Sequence, residues 1–250
     1  MSKTIVLVVM GIVASLQASV LNAGRRLALE SSETQVHLIE LFSTESCSSC
    51  PPADRWIGEL RNSSSLWKSF VPVVAHVDYW DYLGWKDPYS SKENTLRQKK
   101  YVRDWNGGYA YTPNFVLNGN DWRRRSSSDL NVKSKLVGVL RAEEKSPGKY
   151  MIRFTPSGKS SGQYVVHGAI MGNGIEVDVR RGENSGKKLK HNFLTIDYES
   201  SAMTKLEKNT FISNLALDSS GDKRASSYSV AFWVSKADSP KPLQAVGGDL

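Results

Sequence analysis

The chain has 250 residues, 40% of them hydrophobic, with Trp 7, Tyr 10 and Phe 7; this apolar and aromatic content excludes a disordered protein and is enough for one large core or two smaller ones. Its formal net charge of +8 gathers in Arg123-Arg124-Arg125, Arg180-Arg181 and Lys187-Lys188. None of these runs is interleaved with aromatics along a helix, so they read as solvated basic loops, not as a nucleic-acid face.

At the N-terminus, Lys3 precedes an apolar run, Thr4 to Leu16, followed by small and polar residues. That is the layout of a secretory signal peptide, residues 1–23, with Ala18 and Ala23 suited to its last position and an uncleaved anchor as the alternative. The run is too short to span a bilayer comfortably, and no later run approaches that length. The expected protein is therefore secreted, or resident in a secretory-pathway or periplasmic compartment, where disulfides persist, with no stable membrane span after signal removal.

Residues 34–145 alternate apolar runs with helical stretches. "VHLIELF" (Val36–Phe42) and "VPVVAHV" (Val71–Val77) are almost continuously apolar, as parallel strands covered on both faces are. Between them Trp56, Ile57, Leu60 and Trp67 recur at helical spacing over Ala53–Phe70, and Ser91–Trp105 reads as a strongly charged helix. "YTPNFVLNGND" (Tyr111–Asp121) predicts a strand entering an Asn-Gly hairpin, and Asp129–Lys145 a closing helix. The order β-α-β-α-β-β-α predicts an α/β layer fold. After Ser146-Pro147-Gly148, segments such as "QYVVHGAIM" and "SYSVAFWV" predict an antiparallel, sandwich-like β-rich domain over 146–236, with 237–250 a loose tail.

The only two cysteines stand in "ESCSSCPPAD" (Glu45–Asp54). C-x-x-C between a strand and a helix resembles the thioredoxin fold: the spacing lets both sulfurs meet, and the free N–H groups of a helix start favour thiolate on the first. A structural disulfide closing so small a loop would remove little chain entropy, which favours redox or metal chemistry over a staple. Cys47, exposed at the top of the turn, is the expected attacking sulfur and Cys50 the resolving one. Residues before proline avoid the helical region, so helix is expected from Pro51 or Pro52 onward. Thr112-Pro113 resembles a cis-proline turn facing the cysteines, leaving the Thr112 backbone free for a bound chain; a trans proline at a strand edge is the alternative. Glu40, inside an apolar run, is either a buried acid with raised pKa that relays the Cys50 proton, or a Glu satisfied by a lysine or backbone amides. In "HVDYWDYLGWKDP" (His76–Pro88), His76, Asp78, Asp81 and Asp87 are potential ligands, but four histidines and two cysteines in the whole chain make no zinc spacing. Packing of this loop over the cysteine end is the favoured reading.

"IELFSTESCSSCPPADRWIGEL", "HVDYWDYLGWKDPYSS", "YTPNFVLNG" and "VRRGENSGKKLKH" together are similar to a secreted thioredoxin-like family catalogued as domain of unknown function 1223, over about residues 35 to 235. The resemblance implies a thioredoxin-like fold and export, and it supplies no substrate. Cys47, Cys50 and Pro113 match the thioredoxin-like core by position. Glu40, the aromatic block and "RGEN" (Arg181–Asn184) match blocks without an assigned role, the last read as a turn bridging the two domains. The expected function is an exported thiol–disulfide oxidoreductase-like protein acting on a thiol- or disulfide-bearing protein, without cofactor or nucleic acid, its redox direction and oligomeric state open. The alternatives are a soft-metal protein holding Cu(I) through Cys47, Cys50 and His76, and a binding module without turnover.

Overall fold

Period-two alternation decides most of this structure. In "SYSVAFWVSK", Val230, Phe232 and Val234 point into one apolar cluster while Ala231 and Trp233 point into another on the opposite face. The computed structural model describes residues 26–123, 129–130, 135–160, 162–206, 209–218, 220 and 222–250. The expected signal peptide, 1–23, lies outside the described residues, as do Arg124 and Arg125.

The first half contributes β1 (Ala28–Glu30), β2 (His37–Ser43), α1 (Pro51–Glu59), β3 (Phe70–His76), α2 (Lys92–Asp104), β4 (Asn114–Leu117), β5 (Asn120–Asp121) and β6 (Gly138–Ser146). The second contributes β7 (Lys149–Pro156), β8 (Tyr164–Asn173), β9 (Ile175–Asp178), β10 (Lys188–His191), β11 (Leu194–Ala202), β12 (Thr204–Lys205), β13 (Phe211–Ala216), β14 (Ser227–Lys236) and β15 (Pro242–Asp249). Eight strands form one mixed sheet in the order β15-β14-β8-β11-β3-β2-β4-β5, and five form an antiparallel sheet in the order β1-β6-β7-β13-β12; β9 and β10 pair as a separate ribbon. Leu140, Ile152 and Phe154 of the smaller sheet pack on Val166, Ile170, Val230 and Phe232 of the larger, a sandwich core. On the opposite face of the large sheet, Ala53 and Ile57 of α1 bury against Val71, Val73 and Phe193.

This architecture overturns the expected thioredoxin-like α/β domain with an appended β-rich domain. Strands dominate, and only two α-helices exist among the described residues. The large sheet continues across residues 145 and 146: β3 has β2 on one side and β11 on the other, parallel to both, with Val74 N donating to Phe193 O at 2.8 Å. The parallel strands are interior, as their continuous apolar sequence requires, but β11 beside β3 and Phe193 in the core against them come from the second half of the chain.

Three local expectations are corrected with it. The helix expected over 129–145 is strand β6 from Gly138, whose Leu140 and Ala142 face inward at period two; its Ala, Glu and Lys content favours helix, and pairing with β7 overrides that preference. The tail expected to be loose carries β15, paired with β14 and anchored by Gln244, which donates to the carbonyls of Ser32, Thr34 and Gly138 and accepts from Val36 N. The helix expected over 53–70 stops at Glu59, passes through a 3-10 turn at Leu60–Asn62, and leaves Trp67 at φ 63 with its ring edge-on to Phe193.

The second helix begins at its Ser91 cap, whose hydroxyl accepts from Asn94 N. Its buried face is largely polar, and each of these polar side chains is met: Asn94 Nδ2 donates to His76 O, Thr95 Oγ1 to Asp78, Arg97 to Glu40, and Gln98 Nε2 to Tyr111 O. Such a stripe is tolerated only because every member has a partner. No helix among the described residues is long and apolar enough to cross a membrane.

Candidate functional site

From the end of β2, two successive turns carry the chain into α1: Cys47 N donates to Thr44 O at 3.3 Å and Cys50 N to Cys47 O at 3.2 Å. Regular helix starts at Pro51, with prolines at the first two positions, where a missing N–H leaves nothing unpaired. Cys50 is the N-cap residue and itself has helical angles, φ −75 and ψ −38, although a residue before proline ordinarily avoids them. The buried residues of α1 are Pro51, Ala53, Asp54 and Ile57, one inward stripe that carries a carboxylate one turn beyond Cys50.

Both thiols are free. Cys47 Sγ stands 3.1 Å from the Ser49 hydroxyl and 3.9 Å from Thr112 O. A hydrogen bond from the Cys50 thiol is the main force drawing the Cys47 pKa down to about 5; burial opposes it, and Ser49 and Thr112 assist. Cys50 goes the other way. Burial first, then the Cys47 sulfur and the charge of Asp54, hold its thiol far above the ordinary range, against a hydrogen bond from Ser43. Access differs from expectation: Cys47 is only 8% exposed and Cys50 0%, while Ser48 and Ser49 at the tip of the turn are exposed. The difference between the sulfurs therefore lies in charge stabilisation more than in openness.

The Thr112-Pro113 peptide is cis. Pro113 also lines a groove of about 360 Å³ with Tyr109, Tyr111, Phe115, Trp122 and Arg123. Glu40 is buried, but its carboxylate is taken up by Arg97, whose Nε and Nη2 donate at 2.5 and 3.1 Å, and by the Tyr101 hydroxyl. Its partners are thus a guanidinium and a phenol, not the lysine or backbone amides weighed from sequence, and the acid beside Cys50 is Asp54. Ser43 Oγ donates to Asp54 Oδ2 at 2.9 Å and also reaches Cys50, linking thiol and carboxylate.

Behind Asp54 lies a polar interior. His76 Nδ1 is 2.8 Å from Asp87 Oδ2, and His76 Nε2 faces Asp54 Oδ1 at 3.9 Å. Burial alone would lower the His76 pKa; the Asp87 and Asp54 carboxylates outweigh it and raise the pKa to about 10. Asp87 is held well below the carboxylate range despite its burial, chiefly by His76 and by the amides of Glu45 and Tyr89. His191 Nε2 stands 3.3 Å from Glu45 Oε1, and its ring meets that of His76 edge-on at 5.0 Å. Of the other acids named in the aromatic block, Asp78 accepts from Thr95 and Asp81 from Ser90 and Asp87 N.

The RGEN turn closes over the cysteine loop. Asn184, fully buried, donates from Nδ2 to Glu45 O at 2.8 Å and Cys47 O at 2.9 Å, and Glu183 accepts from Ser48 N at 2.9 Å. Gly182 has φ +73, and a Cβ there would stand 3.1 Å from Leu83 O and 3.3 Å from Trp85 Cβ, so both the angle and the packing against the aromatic block demand glycine. Sequence reasoning missed Ser43, Asp54, His191, Glu45 and Asn184 as site residues. Asp54 alone carried a local signal, one helical turn after Cys50.

The structure is similar to that of protein AGR_C_4864 from Agrobacterium tumefaciens, at TM-score 0.60 and 24% identity over 87% of this chain and 95% of that one. HBP35 of Porphyromonas gingivalis matches at TM-score 0.60 and 13% identity, over 88% of this chain and 76% of that one. At these identities the likeness concerns the fold alone. No curated protein matches. The family described as "Protein of unknown function (DUF1223)" matches residues 38–234, most of the chain. The chain belongs to the DUF1223 family.

Proposed function

We propose that the protein is an exported thiol–disulfide oxidoreductase whose redox pair is Cys47 and Cys50. The observation that carries this reading is the asymmetric environment of two free thiols: Cys47 Sγ sits beside the Ser49 hydroxyl and the Thr112 carbonyl, whereas Cys50 is sealed between Cys47, Ser43 and α1. Thiol exchange needs a thiolate that attacks and a protonated partner that waits.

In the reductive direction the Cys47 thiolate attacks one sulfur of a substrate disulfide, and the other leaves as thiolate. Cys50 then gives up its proton and attacks Cys47, forming the Cys47–Cys50 disulfide and releasing the second substrate thiolate. Two electrons pass to the substrate, and the reverse sequence oxidises a dithiol. Stabilisation of the Cys47 thiolate favours the reduced pair, so the direction we assign is oxidation of substrate dithiols. The groove that runs from Pro113 past Tyr111 and Trp122 is the surface we assign to the substrate chain.

Trapping tests the reading. Cys50→Ser should accumulate a mixed disulfide with a disulfide-bearing protein, because its Cys47 thiolate still attacks the substrate disulfide and no Cys50 thiol remains to release it, and Cys47→Ser should trap nothing. Equal trapping by both variants, or by neither, would remove the assignment.

A further inference from the structure

We propose that Asp54, His76 and His191 form a buried binding site for one divalent transition-metal ion of the zinc class. The three residues come from α1, the end of β3 and the end of β10, and one ligand atom from each lies within 4.8 Å of the others. All three are buried, and their facing atoms have no hydrogen-bond partner: Asp54 Oδ1, His76 Nε2 and both ring nitrogens of His191. Buried polar atoms are ordinarily paired, so a converging set of orphans requires an explanation.

The outer partners are already in place. The Ser43 hydroxyl holds Asp54 Oδ2 and leaves Oδ1 facing inward. Asp87 Oδ2 stands 2.8 Å from His76 Nδ1, a charge contact without hydrogen-bond geometry, and Nε2 faces inward. Asp87 is in turn fixed by the Thr44 hydroxyl at 3.0 Å, Glu45 N at 2.8 Å and Tyr89 N at 2.9 Å. A carboxylate behind an imidazole is the arrangement that orients histidine for metal, and an ion bound there displaces the proton that the Asp87 and Asp54 carboxylates otherwise keep on His76. Glu45 Oε1, also orphaned, stands beside His191 and is available as its outer partner or as a fourth ligand. Ligand atoms of a tetrahedral zinc site lie about 3.4 Å apart, given bonds of roughly 2.0–2.2 Å. The 3.9 Å between Asp54 Oδ1 and His76 Nε2 is too long for a hydrogen bond and closes to that spacing by a small side-chain movement. Two imidazoles and a carboxylate select a borderline ion over Ca²⁺ or Mg²⁺, and the absence of sulfur from the set selects against Cu(I).

The site uses neither sulfur of the proposed redox pair, although Asp54 lies beside Cys50, and the cysteine-free variant tells the two readings apart. The test is titration of chelator-treated full-length protein with Co²⁺ alone. One equivalent should bind with the visible bands of a four-coordinate ion and without thiolate charge transfer, and the bands should persist in Cys47→Ser/Cys50→Ser. His191→Ala should weaken binding by roughly 100-fold or more and abolish the rise in melting temperature that Zn²⁺ gives the wild type. Should His191→Ala fail to fold, His191→Gln keeps a polar side chain of similar length and must show the same loss. No Co²⁺ bands in the wild type, bands that survive loss of His191, or bands that vanish with the cysteines would each overturn the assignment.

Discussion

The side-chain amide of Asn184 holds the carbonyl of Cys47 at 2.9 Å across 137 residues of sequence. The same amide holds Glu45 O, so the loop bearing the first thiol is shaped by a turn from the second half of the chain. Asn184→Ala leaves two buried carbonyls without these donors, at about 1–3 kcal/mol for a buried group left unpaired. Urea denaturation should show that loss, and Cys47 should react faster with iodoacetamide as the loop loosens.

Alkylation of Cys47 should follow a titration curve with its midpoint at about 5, high above it and falling below it. Because the Cys50 thiol is the largest contributor, Cys50→Ala should move that midpoint up towards the ordinary thiol value of about 8.5, and Ser49→Ala should move it up by less. The sign carries over to stability. The folded pKa is depressed, so the thiolate's contribution is fully present above the unfolded pKa and is lost as pH falls through the folded one. Cys50→Ala should flatten the stability profile between those two values.

Glu40 is expected to matter for the fold and not for the thiols. Truncation to alanine leaves Arg97 buried without its carboxylate, at about 3–5 kcal/mol, read as a lower denaturation midpoint. The Cys47 alkylation profile should stay where it is. A shifted profile would return Glu40 to a role in proton relay.

Gln244 joins β15 to the segment before β2 and to β6. Gln244→Ala strips partners from several buried backbone groups at once, and about 3 kcal/mol of stability should go with them. Thermal melting of that variant checks whether the C-terminal strand belongs to the cooperative unit.

Much of the strand structure was legible because its signals are local. The unbroken apolar runs of β2 and β3 mark strands buried on both faces, the alternation of β14 marks a strand between two cores, and Asn118-Gly119, at φ 48 and 78, turns the hairpin between β4 and β5. What was misread depends on distant partners. Residues 138–146 are rich in helix formers and become strand only because β7 and β1 pair with them. Nothing between residues 36 and 77 announces that β3 takes β11 as its second neighbour; without that pairing, two parallel strands and two helices read as an α/β domain. The site divides the same way. The cysteine pair is a local motif, whereas Asp54, His76 and His191 share no spacing and meet only in the folded chain.

The clamp of the RGEN turn on the cysteine loop also sets an order of events. A chain leaving the ribosome or a translocation pore N-terminus first presents Cys47 and Cys50 long before Asn184 arrives to hold Glu45 O and Cys47 O. Until then β3 also has an open edge where β11 will pair. The thiols of the nascent chain therefore sit on a loop that Asn184 does not yet hold, and that loop takes its fixed shape only as synthesis passes the second half. A fragment ending near residue 150 holds both cysteines and both helices, yet it lacks the residues that close the loop, and so contains the motif without the site.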